Sequence, residues 1–178
     1  MVLVPQPSVD RMAPVAGHPL VVGIVPGQPA LVARTAALWA TATGASRLVA
    51  AYADPARYVV EELPDGSVRH MPVDPDGVDD EWLLRQAHIN QHLAAALGPS
   101  GVTWELRYLA GRADRALTHL ARAVDAGGFV IGTRAPGAGA RIRDWLEGSV
   151  AFRLTHHQHR PVLVVPLEVV DWQESTWH

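Results

Sequence analysis

The sequence predicts an α/β protein organised around one open, doubly wound, mostly parallel sheet of five strands, with a small β-hairpin inserted after the second strand. Three observations carry this reading. Apolar runs too short for helices alternate along the chain with segments of helical periodicity. The connections between them are brief and punctuated by Gly and Pro. Apolar residues make up 48% of the 178, which lets a single domain bury a core.

Leu20-Val21-Val22-Gly23-Ile24-Val25 is continuously apolar, as a strand buried on both faces must be, and Pro26-Gly27-Gln28-Pro29 ends it in a turn. From Ala30 to Thr43 no Gly or Pro intervenes; Leu31, Ala36, Leu38 and Trp39 recur at helical spacing, and Gly44 stands where a C-terminal cap belongs. Leu48 to Ala53 is a second buried run, set parallel to the first by a right-handed crossover through that helix. Tyr58 to Leu63 and Ser67 to Met71 flank Pro64-Asp65-Gly66 and form the hairpin, outside the core sheet. Asp79 or Asp80 then caps a helix carrying Trp82, Leu83, Ala87, Ile89, Leu93 and Leu97, which stops at Gly98-Pro99.

Val102 to Leu109 alternates apolar and polar residues and supplies the third core strand. After Gly111, residues Arg112 to Asp125 place Ala116, Leu117, Leu120 and Val124 on one helical face. Phe129 to Gly132 is the fourth strand. A Gly/Pro/Ala loop from Thr133 to Ala140 leads to a helix that begins near Arg141 or Gly148 and ends at His157, and Pro161 to Pro166 holds the fifth strand. Residues 1–17 read as a flexible arm, 18–167 as the domain and 168–178 as a tail with Trp172 and Trp177. Trp39, Trp82, Trp104 and Trp145 lie within elements and read as packing residues.

Composition narrows the chemistry. Fifteen cationic against eighteen acidic side chains leave a net charge of −3, which gives no general attraction to nucleic acid or to an anionic membrane. Without cysteine there is no thiol nucleophile, disulfide or thiolate-bound zinc. Every cation is arginine, so lysine Schiff bases and a P-loop lysine are excluded as well. No apolar run approaches the ~20 residues of a membrane span, and prolines interrupt residues 1–17 where a signal peptide needs a continuous apolar stretch. The expected location is the cytoplasm.

In doubly wound sheets ligands bind beyond the C-terminal ends of the strands, which selects Val25–Gln28, Tyr52–Asp54, Leu109–Arg112 and Gly132–Ala140. Gly132, Gly137 and Gly139 permit close approach of backbone to a ligand, and Gly148-Ser149 precedes a helix whose N–H groups can receive an anion. Arg134, Arg141 and Arg143 surround this loop, as phosphate ligands or as a solvated surface. His156, His157 and His159 suit either a metal or the helix dipole; with no carboxylate beside them, no metal site is expected.

Gly132-Thr133-Arg134, the glycine-bearing loop, Gly148-Ser149-Val150-Ala151 and Arg160-Pro161-Val162-Leu163-Val164-Val165-Pro166 together resemble the C-terminal signature of universal stress proteins. Val22-Gly23-Ile24-Val25 and Leu109-Ala110-Gly111 match the first and third strands of that family, so the resemblance spans about residues 20 to 166. It implies a Rossmann-like sheet with core strands in the order 3-2-1-4-5. In the family's nucleotide-binding branch, it also implies ATP held by a G-x2-G-x9-G-[ST] loop and by an Asp after strand one.

Gly132 and Gly148-Ser149 fit the ends of that motif, but sixteen positions separate the two glycines, three more than the motif spans. Ala135 takes the place of the second glycine and Val25 that of the Asp. The expected function is therefore that of a stress-response protein acting by binding and association without turnover, in which the family's ATP mode fails. The alternative is an ATP- or AMP-type nucleotide switch, or a slow ATPase, using the modified loop. Should an adenine nucleotide such as ATP bind, Gly132, Arg134, Gly137, Gly139, Gly148, Ser149 and Val150 would line its phosphate end, with Gly27 and Ala53 flanking the nucleoside. No G-x-S-x-G elbow or Walker A is present, and no acidic residue orients a histidine toward Ser149, which argues against a hydrolase. Val162-Leu163-Val164-Val165 at a sheet edge, without a charged gatekeeper, predicts a homodimer made by antiparallel pairing of this strand with its copy.

Overall fold

The computed structural model describes residues 8–75, 81–133 and 149–167. In chain order the elements are β1 (Leu20–Gly23), α1 (Leu31–Thr43), β2 (Leu48–Asp54), β3 (Arg57–Glu62), β4 (Val68–Pro72), α2 (Glu81–Leu97), β5 (Trp104–Ala110), α3 (Ala113–Ala123), β6 (Gly128–Gly132), α4 (Val150–His157) and β7 (Val162–Val165). Five strands pair in parallel in the order β5-β2-β1-β6-β7, which is 3-2-1-4-5 when the core strands are counted alone.

Central β1 is apolar throughout because it is covered on both faces. Leu20 and Val22 point into a core shared with α1 and α2, while Val21 points into a second core shared with α3 and α4. The face of α1 that meets the sheet is made of Val32, Ala33, Ala36, Ala37 and Ala40, small residues that let helix and sheet approach closely. Gly44, in the left-handed conformation at φ 69°, ends the helix as expected.

The larger apolar residues of α1 do not behave as packing residues. Leu31, Leu38 and Trp39 are exposed, Trp39 at 43%. They fall on the helix surface turned away from the alanine stripe; of the four residues at helical spacing, Ala36 alone belongs to the buried side. In α2 the buried positions are Ile89, Leu93, Ala96 and Leu97, and Leu83 is exposed. Trp82 packs between His70 and Tyr108, and Trp104 lies against the first core. Asp79, Asp80 and Trp145 lie outside the described residues.

Residues 1–7 of the expected arm and 168–178 of the tail also lie outside that range. Residues 14–18 are docked. The Gly17 N–H donates to the Gly44 carbonyl at 2.8 Å, His18 Nδ1 lies 2.9 Å from the Asp125 carbonyl, and Pro14 and Val15 run so close to Gly127 that a Cβ there would sit 2.6 Å from the Pro14 oxygen.

The hairpin β3–β4 is antiparallel and forms a separate two-stranded sheet. Both its strands contact β5. Its turn, with Gly66 at φ 81°, lies on Leu120 and Ala123 of α3. Its base reaches the opposite side, where His70 meets Trp82 of α2 edge-on and the Arg57 guanidinium stands 5.5 Å from the centre of the same ring. The insertion thus wraps the outer edge of β5 from one helical layer to the other.

Asp54 anchors this corner. It ends β2, is 2% exposed, and accepts hydrogen bonds from the Tyr108 hydroxyl at 2.6 Å, Arg85 Nη1 at 2.6 Å and the Ala56 N–H at 2.9 Å. Burial alone would raise its pKa, but the Tyr108, Ala56 and Arg85 donors outweigh burial and hold the carboxyl below its usual range. Burial, then the hydrogen bond to Asp54, pushes the Tyr108 hydroxyl upward.

A carboxylate with a lowered folded pKa contributes stability above its unfolded value of about 4, and that contribution is lost as pH falls through the folded value. Asp54→Ala is expected to cost about 1–3 kcal/mol at neutral pH, since the buried Tyr108 hydroxyl loses its acceptor. Urea denaturation of Asp54→Asn and of the unsubstituted protein should give curves that differ most at pH 7, begin to approach one another near about pH 4 and converge only as pH falls through the lowered folded value.

Candidate functional site

From β1 the chain winds outward through β2 to β5 and only then returns to the other side of β1 with β6 and β7. The strand order therefore reverses between β1 and β6. In sheets of this kind the crevice that takes a ligand lies beyond the C-terminal ends of the strands at the reversal, which here are Ile24–Gln28 on one side and Gly132–Thr133 on the other.

The β1 ladder continues for one more bond, from the Ile24 N–H to the Ala51 carbonyl at 2.8 Å. The chain then turns at Pro26-Gly27, with Gly27 at φ 75°, and the Gln28 N–H closes the turn on the Val25 carbonyl at 3.1 Å. The Gln28 side chain folds back over the turn, and its Oε1 accepts the Val25 N–H at 3.2 Å. Its Nε2 lies over the α-carbon of Gly132: a Cβ at that position would come within 2.5 Å of Gln28 Nε2, 2.9 Å of Val32 Cγ2 and 3.1 Å of Leu167 Cδ1. A methyl group here would have to displace the Gln28 amide and press on Val32, so packing favours glycine. On the far wall the Thr133 N–H donates to the Val165 carbonyl at 2.8 Å and the Thr133 hydroxyl accepts the Leu167 N–H at 2.9 Å, tying the end of β6 to β7.

Gly27 and Gly132 are thus brought to one crevice, with Gln28 between them. Ala53 stands one strand away near the end of β2, half-buried against the second core. Ser149 is the N-cap of α4, its Oγ accepting the Phe152 N–H at 3.0 Å, and Val150 opens the helix against the same core. Arg134, Gly137, Gly139, Arg141, Arg143 and Gly148 lie outside the described residues. Val25 is 53% exposed and offers no side-chain acceptor.

The histidine cluster is engaged with its surroundings. His156 Nδ1 lies 2.9 Å from the Phe152 carbonyl and its ring stacks on Phe152, while burial, then Arg160, Arg11 and Arg122, lower the His159 pKa. Among the described residues no group of three or more His, Asp or Glu is placed to hold a metal ion.

Two side chains lie within the strand ends that the sequence selected, but their contacts were not legible there. Gln28 is a polar residue between Gly27 and Pro29 at the end of an apolar strand, and that position was its only signal. Asp54 likewise closes an apolar run before Pro55, yet its partners Arg85 and Tyr108 are remote in sequence. Recesses of about 320 Å³ beside Leu83, Gln86, Asn90 and Leu106, and about 210 Å³ beside Val59, Gly111, Arg115 and His119, lie away from the crevice.

The model of the Universal stress protein family matches residues 21–166. No curated protein matches the chain in sequence. Among solved structures, a universal stress protein from Archaeoglobus fulgidus superposes with a TM-score of 0.58 at 19% identity, over 84% of this chain and 93% of that one. A universal stress protein in complex with cAMP gives 0.55 at 23% identity, over 86% and 99%. The Archaeoglobus fulgidus protein in complex with dAMP gives 0.54 at 21%, over 83% and 96%. At these identities the structures share the fold.

Because Val32 and Leu167 wall the position above Gly132, Gly132→Ala is expected to destabilise the protein by about 1–3 kcal/mol through overpacking. A urea midpoint lowered to the same extent with and without added nucleotide would establish packing as the role of this glycine.

Proposed function

Because the chain belongs to the universal stress protein family, we propose that it is a cytoplasmic stress-response member acting by binding and association without turnover, its strand-end crevice closed to the ATP mode of that family. The observation that carries this reading is the Gln28 carboxamide seated between the Val25 N–H and Gly132. It is supported by Val25 and Pro26, whose side chains accept no hydrogen bond from ribose or adenine, and by the packing that accounts for the glycine at 132. The carboxylate at the neighbouring strand end, Asp54, is buried and tied to three donors, which removes it from proton transfer.

A second reading, a nucleotide-responsive switch, is favoured by the complexes of fold relatives with cAMP and dAMP. Under it Gly132, Arg134, Gly137, Gly139, Gly148, Ser149 and Val150 would take the phosphate end and Gly27 and Ala53 the nucleoside. Calorimetric titration with ATP is expected to show no micromolar binding; a micromolar isotherm abolished by Gly148→Val would decide for the switch.

Association is proposed to run through β7. This strand pairs with β6 on one side, its Val164 is 40% exposed, and Pro161 and Pro166 bracket it. The opposite edge of the sheet, β5, is covered by the hairpin, which leaves β7 as the edge for a second copy of the chain. Antiparallel pairing across a two-fold axis would satisfy its outward N–H and C=O groups and bury its valines. Light scattering at micromolar concentration should give twice the 19.2 kDa chain mass, reduced to the single-chain mass by Val164→Asp. A single-chain mass in both proteins would overturn the dimer.

A further inference from the structure

We propose that the Gln28 side chain is a resident occupant of the crevice, a carboxamide standing in for a ligand's acceptor group on the Val25 N–H, and that it determines whether an adenine nucleoside or nucleotide can seat against Gly132. The inference rests on the assignment of the β1–β6 crevice as the ligand site and goes beyond it by naming the group that closes it.

The Val25 N–H is the first donor past the β1 ladder, since the preceding N–H, of Ile24, is committed to Ala51. A donor at the mouth of a switch-point crevice is the kind of group that fixes a planar ligand through one of its acceptor atoms. Gln28 Oε1 takes that donor at 3.2 Å. The other end of the same amide covers the bare α-carbon of Gly132, the surface on which a ligand would lie with closest backbone approach. Val32 and Leu167 also border the space above Gly132, so the surface beside the amide is apolar and its one polar contact on this side is the Val25 N–H.

The occupant is also preset. The Gln28 N–H closes the turn onto the Val25 carbonyl, so backbone and side chain of one residue bond the carbonyl and the N–H of another. Little further freedom is lost when the side chain docks, and an incoming ligand must exceed an intramolecular competitor already in place. The attachment is one neutral hydrogen bond plus packing, and the side chain is half-buried, so the competitor is displaceable in principle and removable by substitution.

The test uses the full chain and three variants, with adenosine and AMP as probes in calorimetric titrations; adenosine removes any contribution from phosphate charge. Gln28→Ala and Gln28→Ser vacate the space above Gly132. Gln28→Glu keeps the shape and the acceptor for the Val25 N–H. Thermal denaturation without ligand selects variants that unfold cooperatively like the parent, and the serine variant serves if the alanine variant does not.

Binding of adenosine and AMP at least tenfold tighter in the vacated variants than in the parent, with Gln28→Glu at the parental level, would support the occupant. Unchanged affinity in a folded vacated variant, or an equal gain in Gln28→Glu, would overturn it. The functional reading fails separately, through micromolar ATP binding by the parent protein; the occupant is judged on the ratio between variant and parent.

Discussion

Central β1 has neighbours on every side, β2 and β6 in the sheet and a helical layer on each face, and this crowding sets the terms for the rest of the molecule. On one face α3 covers the strand with Leu117 and Leu120, and on the other α1 covers it with a stripe of four alanines and Val32. Packing of α1 carries Val32 to the end of β6, where with Leu167 and Gln28 it crowds position 132. One packing constraint thus favours a glycine at position 132 on structural grounds alone.

The two edges of the sheet are managed differently. At β5 the hairpin insertion reaches across the edge, with Gly66 laid on α3 and Arg57 and His70 against Trp82 of α2, and the buried Asp54 carboxylate joins β2, β5 and α2 through Tyr108 and Arg85. A buried carboxylate is tolerated there because three donors replace the water it has lost. At β7 the described chain supplies no comparable cover, and an exposed valine stands between two prolines. The insertion closes one edge, and the other is left without such cover among the described residues.

The crevice between these edges holds a side chain of the protein itself. A short turn with a glutamine at its fourth position bonds both polar groups of Val25, so the strand end is satisfied without a ligand. The residues expected to flank a nucleoside and its phosphates are therefore only partly convergent: Gly27 and Gly132 meet across Gln28, whereas Ser149 caps α4 and Ala53 packs into the second core.

The sequence by itself determined the strand and helix order, the hairpin insertion and, through the motif resemblance, the family. Those depend on local signals: apolar runs of strand length, Gly44 and Gly98 at helix ends, Pro64-Asp65-Gly66 at a turn, and glycine and proline at fixed places in the last third of the chain. It also showed that the strand-one carboxylate was absent, because substitution of Val25 for an acid is visible in one dimension. Tertiary structure alone decided which side of α1 is buried, since small alanines and not Leu31, Leu38 or Trp39 fit against a sheet approached so closely. It alone joined Asp54 to Arg85 and Tyr108, partners 31 and 54 positions away. And it alone laid Gln28 on Gly132, a contact between the turn after β1 and the last residue of β6 that exists only because the reversal of strand order makes those two strands neighbours.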